Sequence, residues 1–325
     1  MQLARARDNA SVRLLFVMDP PEALRAETDT TVALLQAAQR RGHPVAHAQP
    51  CDVRLQRDRL RVACRTARVT QSPRLALELG ERRIEDVENF DAVFVRKDPP
   101  FDADYLWLTL LLEHARGRSV VVNDPRALRE ANEKLYALHF PALVPETLVA
   151  ADPEAIAQFV DEVGGRAVVK PVDGHAGLGV FLLARGDPNF HALVERQTDG
   201  GRRLAVVQRY LPEVARGDKR VLLLDGEPLG AMLRVPRADE LRSNLRVGGR
   251  AEPCGLDDDD RRIVEALGPR LRADGLFFVG IDVIGGRLTE VNVTSPTGLR
   301  QMMEASGEDL AGRVLDRLAA RVRER

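Results

Sequence analysis

Lysine is nearly missing from this chain. It occurs four times, at Lys97, Lys134, Lys170 and Lys219, among 48 lysines and arginines. Positive charge is otherwise supplied by arginine, so a retained lysine marks a place that wants a compact, hydrated point charge rather than a planar fork. Cysteine is also scarce. Cys51, Cys64 and Cys254 are odd in number, far apart and without metal-ligand spacing, which argues against a disulfide framework or a thiolate metal site and for reduced thiols in a cytoplasmic protein. No apolar run is long enough to span a bilayer. The first 20 residues lack a signal-peptide core, because the apolar stretch 12–18 is short and ends at Asp19-Pro20. Net charge is scarce as well. At −1 over 325 residues, with acids beside the bases throughout, no basic stripe points to nucleic acid. The sequence also offers no GxSxG, HExxH or Cys–His pairing for covalent or zinc catalysis, and no Walker GxxxxGK[ST].

What is present is a soluble α/β pattern, 44% hydrophobic and 30% charged, long enough for two domains. The stretch 12–17 reads as a strand, 30–42 as a helix stopped at Gly42, and 44–49 as a second strand, which predicts a βαβ unit and a parallel sheet. Residues 52–71 read as a hairpin, 91–102 as a strand that breaks at Pro99-Pro100, and 119–125 as another strand. No GxGxxG follows the first strand, so this unit is not read as a dinucleotide site. From 152 the pattern changes. Asp152-Pro153 opens a helix ending at Gly164-Gly165, and strands follow at 167–171, 179–183 and 204–212 around a second helix near 189–198. Hairpins are expected at 220–235 and 277–296. The four aspartates Asp257–Asp260 are read as a helix start favoured by the dipole, not as a metal site.

Two constellations carry chemistry. Lys170 ends a strand before a loop with Gly174, Gly177 and Gly179, whose amides suit phosphate oxygens. In the last hairpin, Glu290 and Asn292 share a strand face. A three-residue turn at Gly285-Gly286-Arg287 would set Asp282 directly across from Glu290, whereas a two-residue Gly-Gly turn would put the two carboxylates on opposite faces. The three-residue turn is expected, with Phe277, Val279, Ile281 and Val283 facing the core beside Thr289, Val291 and Val293. Facing carboxylates repel unless a cation lies between them, and these oxygens suit Mg²⁺.

The strings MDP (18–20), RKDPPFD (96–102), NEKL (132–135), KPxDG (170–174), YLP (210–212), GDKRVL (217–222), DGEP (225–228), NLxxGGR (244–250) and FVGxDxIGxRLTExNVTSPT (278–297) stand in the order found in the ATP-grasp ligases. The chain resembles the bacterial glutathione synthetase family among them, from about residue 12 to about 322. All four lysines lie in these strings. The resemblance implies an N-terminal Rossmann-like parallel-sheet (pre-ATP-grasp) domain over 1–131 and an ATP-grasp fold over 132–325. The latter would divide into a lid and nucleotide subdomain, about 132–213, and a metal and substrate subdomain, 214–325. It implies an ATP-dependent ligase that joins γ-glutamylcysteine and glycine through an acyl phosphate. Lys134, at a helix start, and Lys170 would bind ATP phosphates under a lid carrying Gly174 and Gly177. Gln208, Tyr210 and Leu211 would hold adenine and Asp218 the ribose. Asp282, Glu290 and Asn292 would hold Mg²⁺, with Mn²⁺ as an alternative. Arg220 and Arg234 would bind peptide carboxylates, which suit a bidentate fork. Arg242, Asn244, Gly248 and Gly249 would lie on a mobile loop, with Asn244 and Gly249 joining Arg220 and Arg234 in catalysis. Ser295, Pro296 and Thr297 would border the acceptor. A cytoplasmic homo-oligomer with no nucleic-acid or membrane partner is expected.

The chain departs from the family pattern in two places. The glycine loop is DGHAGLG, with His175 and Ala176 in place of a more glycine-rich run, and the mobile loop begins with the charged string RADELRSN (237–244). His175 is read as a solvent-facing loop residue. An ATP-grasp ligase for another acid and amine, and a non-catalytic nucleotide-binding protein, remain as alternatives.

Overall fold

The computed structural model describes residues 11–70, 77–237, 239–240, 242–244 and 248–325. The first ten residues, positions 71–76, two positions of the charged loop (238 and 241) and 245–247 of the NLxxGGR string lie outside the described residues.

The first third builds one seven-stranded sheet. Strand β1 (Leu14–Met18) leads through α1 (Thr30–Arg40) to β2 (Val45–Ala48), then to β3 (Val53–Gln56), β4 (Arg59–Val69), β5 (Leu77–Asp86) and β6 (Ala92–Arg96). Helix α2 (Ala103–Leu112), strand β7 (Val120–Val122) and helix α3 (Pro125–Glu130) complete it. The order is β3-β4-β2-β1-β6-β7, with β5 on β4. The βαβ expectation holds for β2-β1-β6-β7, which run parallel, but β3, β4 and β5 are antiparallel, so the sheet is mixed. Strand β5 escaped the sequence reading because its residues 78–86 are mostly polar and exposed or half-buried, leaving no apolar period to read.

A four-stranded antiparallel sheet follows. Strand β8 (Thr147–Ala150) precedes α4 (Pro153–Glu162), β9 (Arg166–Pro171), β10 (Phe181–Ala184), α5 (Phe190–Thr198) and β11 (Ala205–Arg209), in the order β10-β9-β11-β8. Its core is its own: Ile156, Val160, Phe190 and Val194 from the helices cover Ala167, Val169, Leu183 and Val207.

The third sheet is antiparallel, ordered β14-β13-β12-β15-β16. It contains β12 (Asp218–Leu224), β13 (Glu227–Val235), β14 (Arg250–Pro253), helix α6 (Asp258–Asp274), β15 (Phe278–Ile284) and β16 (Arg287–Asn292), followed by helices α7 (Leu299–Ser306) and α8 (Leu310–Glu324). Its two faces share cores with the first sheet. On one side Val221, Ile281 and Leu267 cluster with Val93 and Leu108; on the other, Leu315 and Leu318 of α8 join Phe16, Phe94 and Phe278. The last helix therefore packs on the first sheet. Asn123 stitches the two sheets, donating to Phe278 O and Val293 O and accepting from Phe278 N.

The turn between β15 and β16 corrects one expectation and keeps its consequence. It has two residues, Gly285 and Gly286, both left-handed at φ 54° and 72°, a conformation glycine adopts without strain. Ile284 pairs with Arg287 and Val283 with Leu288, yet Asp282 still pairs with Glu290, because the register shifts by one residue at Thr289. This bulge puts Leu288, rather than Thr289, into the core with Val283 and Val291. Phe277 packs with Phe278 in the opposite core, also contrary to the alternation read from sequence.

The aspartate run behaves as expected. Asp257 caps α6 in a reciprocal capping box with Asp260. Lys219 reaches across from β12 to both carboxylates, at 2.7 Å from Asp257 and in a shorter contact with fully buried Asp260. Lys219→Met should therefore lower stability by about 2–4 kcal/mol in urea denaturation, since it strands a buried carboxylate. Lys97→Met should cost less, because Lys97 and its partner Asp19 are both partly exposed. Equal losses in the two variants would contradict this account.

Candidate functional site

The second and third sheets face each other across an open cleft of about 770 Å³. Lys170, Gly177, Gln208, Tyr210, Leu211, Asp218, Arg242, Asn244, Asp282 and Glu290, ten of the residues singled out from sequence, line it. Their elements explain why. Lys170 is the next-to-last residue of β9, paired with Val206 of β11, so its side chain leaves the sheet where the strand gives way to the glycine loop. Gln208 lies near the end of β11, and the chain then bends through Tyr210 and Leu211 into a 3-10 turn, Pro212–Arg216. Val168, Val180, Val214 and Ile284 add an apolar lining near that bend. Two sheets are needed to assemble the group.

The floor of the cleft is a chain of buried charges. Arg220 grips Asp282 with both arms, Nε to Oδ1 at 2.5 Å and Nη2 to Oδ2 at 3.0 Å. Arg234 holds Asp218, Nη2 to Oδ2 at 2.6 Å, and also reaches Asp282 at 3.0 Å. Asn292 Nδ2 donates to Asp282 Oδ2 at 3.2 Å, and Lys170 Nζ stands 3.4 Å from Glu290 Oε1. Burial alone would raise the Asp282 carboxyl, but the guanidiniums of Arg220 and Arg234 outweigh it and hold it far below the usual range. Glu290 is likewise depressed, burial being overcome by Lys170 and Lys134. Burial pushes the Lys170 ammonium down, against the pull of Glu290 and with the help of Lys134. Asp218 is raised by burial despite Arg234, with the Asp282 charge adding to the effect. Asp282 and Glu290 thus face each other as expected, but side-chain cations already offset their repulsion.

Lys134 and Gly174 do not line this cleft. They border a second pocket together with His175, Glu133 and Phe101. Lys134 is not at an α-helix start. It sits in a turn closed by Asn132 Oδ1, which accepts from Lys134 N and Leu135 N, ahead of a single 3-10 turn, Tyr136–His139. Its Nζ donates to Gly174 O, tying that turn to the glycine loop. His175, half-buried, lines this cavity as well and so does not simply face solvent.

The described part of the charged loop meets the glycine loop. Arg242 Nη1 donates to Gly177 O at 3.2 Å, and a Cβ on Gly177, which also has φ +77°, would come within 2.7 Å of Asn244 Oδ1. Gly249 N donates to Asn244 O at 3.2 Å; Gly248 lies beside it, outside the cleft lining. Arg220, Arg234, Asn292, Ser295, Pro296 and Thr297 are not part of the cleft lining; Arg220, Arg234 and Asn292 meet it through Asp282, and Arg220 Nη1 donates at 3.3 Å to the carbonyl of Thr297, which is exposed.

Sequence reasoning missed several residues. Thr289 lines the cleft and donates to Asp282 O, a consequence of the bulge. Buried Ser243 adds its hydroxyl to Asp218. Glu133 accepts from Val293 N, Thr294 N and Thr294 Oγ1, fixing the segment after β16. Glu133 stood in the NEKL string, which was the available signal.

The family model described as "Prokaryotic glutathione synthetase, N-terminal domain" matches residues 12–129, and that described as "Prokaryotic glutathione synthetase, ATP-grasp domain" matches 133–307. The chain belongs to the prokaryotic glutathione synthetase family. A glutathione synthetase of Gloeobacter violaceus is 46% identical over 311 residues, covering 94% of this chain and 96% of the relative. One from Synechococcus elongatus is 44% identical over 321 residues, covering 96% and 99%. A crystal structure of a D-cycloserine synthetase matches with a TM-score of 0.68 at 19% identity, covering 95% of this chain and 99% of that one, a likeness of fold. The resemblance and the fold class read from the motif strings are borne out, and the ATP-grasp fold implies ATP binding. Among the described residues no helix is long and apolar enough to cross a membrane.

The charge pairing reverses one expectation. Relief of carboxylate repulsion would make Glu290→Gln neutral or stabilising without metal. Because Lys170 is buried against Glu290, the substitution should instead lower stability by about 1–3 kcal/mol. A metal-free thermal melt with an unchanged or raised Tm would refute this.

Proposed function

We propose that this chain is an ATP-dependent ligase that joins γ-glutamylcysteine to glycine, releasing glutathione, ADP and phosphate. The observation that carries the reading is family membership across both matched domains, together with a cleft in which Lys170, Asp282 and Glu290 converge. The cysteinyl carboxylate would attack the γ-phosphorus, expelling ADP and leaving an acyl phosphate. The glycine amine would then attack the acyl carbon, phosphate would leave with the C–O electron pair, and the amine would lose its proton.

The protein's part in this is alignment and charge. Lys170 and Lys134 would hold phosphate oxygens beneath the glycine loop of Gly174 and Gly177. Adenine would sit at Gln208, Tyr210 and Leu211, against the apolar lining, with Asp218 beside the ribose. Arg220 and Arg234 would take peptide carboxylate, Ser295 and Thr297 would border the acceptor, and Arg242, Asn244 and Gly249 would close over the reactants and keep water out. The donor set suits Mg²⁺, or Mn²⁺ in its place: Asp282, Glu290 and Asn292 supply hard oxygens on one face, and phosphates would complete the shell. Such an ion would neutralise charge on the transferred phosphoryl group. Asp282 would have to exchange Arg220 for it. The proposed division into an N-terminal unit to residue 131, a lid unit to about 213 and a metal unit beyond is supported by sheets confined to 14–122, 147–209 and 218–292. A cytoplasmic homo-oligomer is proposed on family grounds.

The test is ADP release with ATP, Mg²⁺, γ-glutamylcysteine and glycine, beside a panel of other acids and amines. Activity confined to another pair would replace this substrate assignment, and no ADP with any pair would leave only a binding protein. Within that assay, Lys170→Arg should damage ATP use nearly as much as Lys170→Met, because a planar guanidinium does not fit the space of one buried ammonium. Near-normal ATP affinity in the arginine variant would refute the geometric role of the lysine. Arg220→Ala and Arg234→Ala should weaken peptide binding by about 2–5 kcal/mol with a smaller effect on ATP. A rise confined to the KM for ATP would reassign them.

A further inference from the structure

Helix α2 turns apolar side chains both inward and outward. Inward, Tyr105, Leu108 and Leu112 are buried in the core beneath the first sheet and anchor the helix. Outward, Trp107 is 55% exposed and Leu110 43%. Trp107 is the only tryptophan of the chain, and tryptophan carries a large apolar surface that commonly anchors interfaces. Scattered apolar residues on a surface need no explanation, but these are ordered. The exposed positions of α2 and of the 3-10 turn that prolongs it, Glu113–Ala115, are Ala103, Asp104, Trp107, Leu110 and His114. Asp104 apart, they are spaced by four, three and four residues, the repeat of a seam that packs on a second helix. Half-buried Leu106 and Leu111 flank the seam. Leu55, 37% exposed on β3, which packs beside α2, widens the apolar patch.

The seam fits a copy of itself. When two such seams run antiparallel, Trp107 of one meets Leu110 of the other, and Ala103 meets His114, because both pairs of numbers have the same sum. The small Ala103 leaves room for the imidazole. The charges favour the same arrangement. Asp102 and Asp104 are exposed at the start of α2, whereas His114, Arg116 and Arg118 are exposed at and beyond its end. Laid antiparallel, each acidic end lies beside the basic end of the other copy, and the helix dipoles oppose. A parallel pair would set like charges together. Arg116 and Arg118 have only surface ion pairs, to Glu113, Asp124 and Glu88, which rearrange at little cost. A ten-residue helix gives about 15 Å of seam. A stable dimer buries about 800 Å² on each partner, so Leu106, Leu111 and Leu55 are needed beside it.

We propose that helix α2 is a twofold interface between two copies of this chain, with Trp107 at its centre. This gives a surface to the homo-oligomer proposed above and rests on that reading, but not on the substrate assignment. In a twofold contact the same patch serves on both sides, so each seam residue counts twice. None of these residues lines the cleft between the second and third sheets, and pairing leaves each copy's cleft whole.

The experiment follows assembly of the full chain by sedimentation velocity over a range of concentrations, together with acrylamide quenching of tryptophan fluorescence. With a single tryptophan, the fluorescence reports on this face alone. Wild type should sediment at an even multiple of the chain mass, with Trp107 shielded from acrylamide, and dilution should undo both together. Leu110→Glu should weaken association by about 100-fold or more, the scale of losing an interface anchor on both sides of a twofold. Its Trp107 should be open to acrylamide at concentrations where wild type is paired. Leu204→Glu, at a leucine 55% exposed just before β11, should assemble like wild type. A wild type that assembles with Trp107 open to acrylamide, or no better than Leu110→Glu, uses another surface and overturns the proposal. An equal loss in Leu204→Glu would trace the effect to added charge and overturn it too. A monomeric wild type that still releases ADP would overturn the homo-oligomer and this interface while leaving the ligase reading standing. If circular dichroism shows that Leu110→Glu does not fold, Leu110→Gln is judged by the same two measurements.

Discussion

A charge taken out of water must be compensated inside the protein, and the cleft between the second and third sheets is organised around that constraint. Lys170, Asp218, Arg220, Arg234 and Asp282 are all buried, and Glu290 is mostly so. Each carboxylate has its cation: Asp282 takes Arg220 and Arg234, Asp218 takes Arg234, and Glu290 takes Lys170. The pairs are drawn from strands β9, β12, β13, β15 and β16, so the network requires the sheets to be in register before it can exist. Removing Arg220 would leave Asp282 with Arg234 alone, and removing Glu290 would leave buried Lys170 without its salt-bridge partner.

Under the proposed roles the same network would serve the ligands. Arg220, which holds Asp282 at rest, would turn to a substrate carboxylate when a metal ion took its place, exchanging one charge pair for another. That exchange would couple metal and acid binding through Arg220. Arg96 stands outside this network. Its buried guanidinium has hydrogen bonds to Thr31 and Pro296 but no salt bridge among the described residues.

Packing sets how far the parts depend on one another. The second sheet has a core of its own under α4 and α5, whereas the first and third sheets share theirs, joined by Asn123 and closed by α8. The charge floor is therefore anchored in the large double core, and the glycine loop of Lys170 is carried by the smaller unit. Contacts between them within the described residues run through side chains such as Lys170 with Glu290 and Arg242 with Gly177 O.

Local chemistry was legible in the sequence wherever it is set by neighbours along the chain. The Asp257 cap, the Pro153 helix start, the glycine loop after Lys170 and the ligase motif strings are all short-range patterns, and the structure keeps them. Anything that depended on partners far away had to wait for the tertiary structure. Sequence could not show that Thr289 bulges, because a bulge answers to the core that claims Leu288; so the turn length was misread while the Asp282–Glu290 pairing survived. Nor could it show that Lys219 caps buried Asp260, that Lys134 braces Gly174 O, or that Arg220 and Arg234 rest on carboxylates proposed for other ligands. The residue types were set by the sequence. Which charge neutralises which was decided by burial, since only the folded chain determines which groups lose water together.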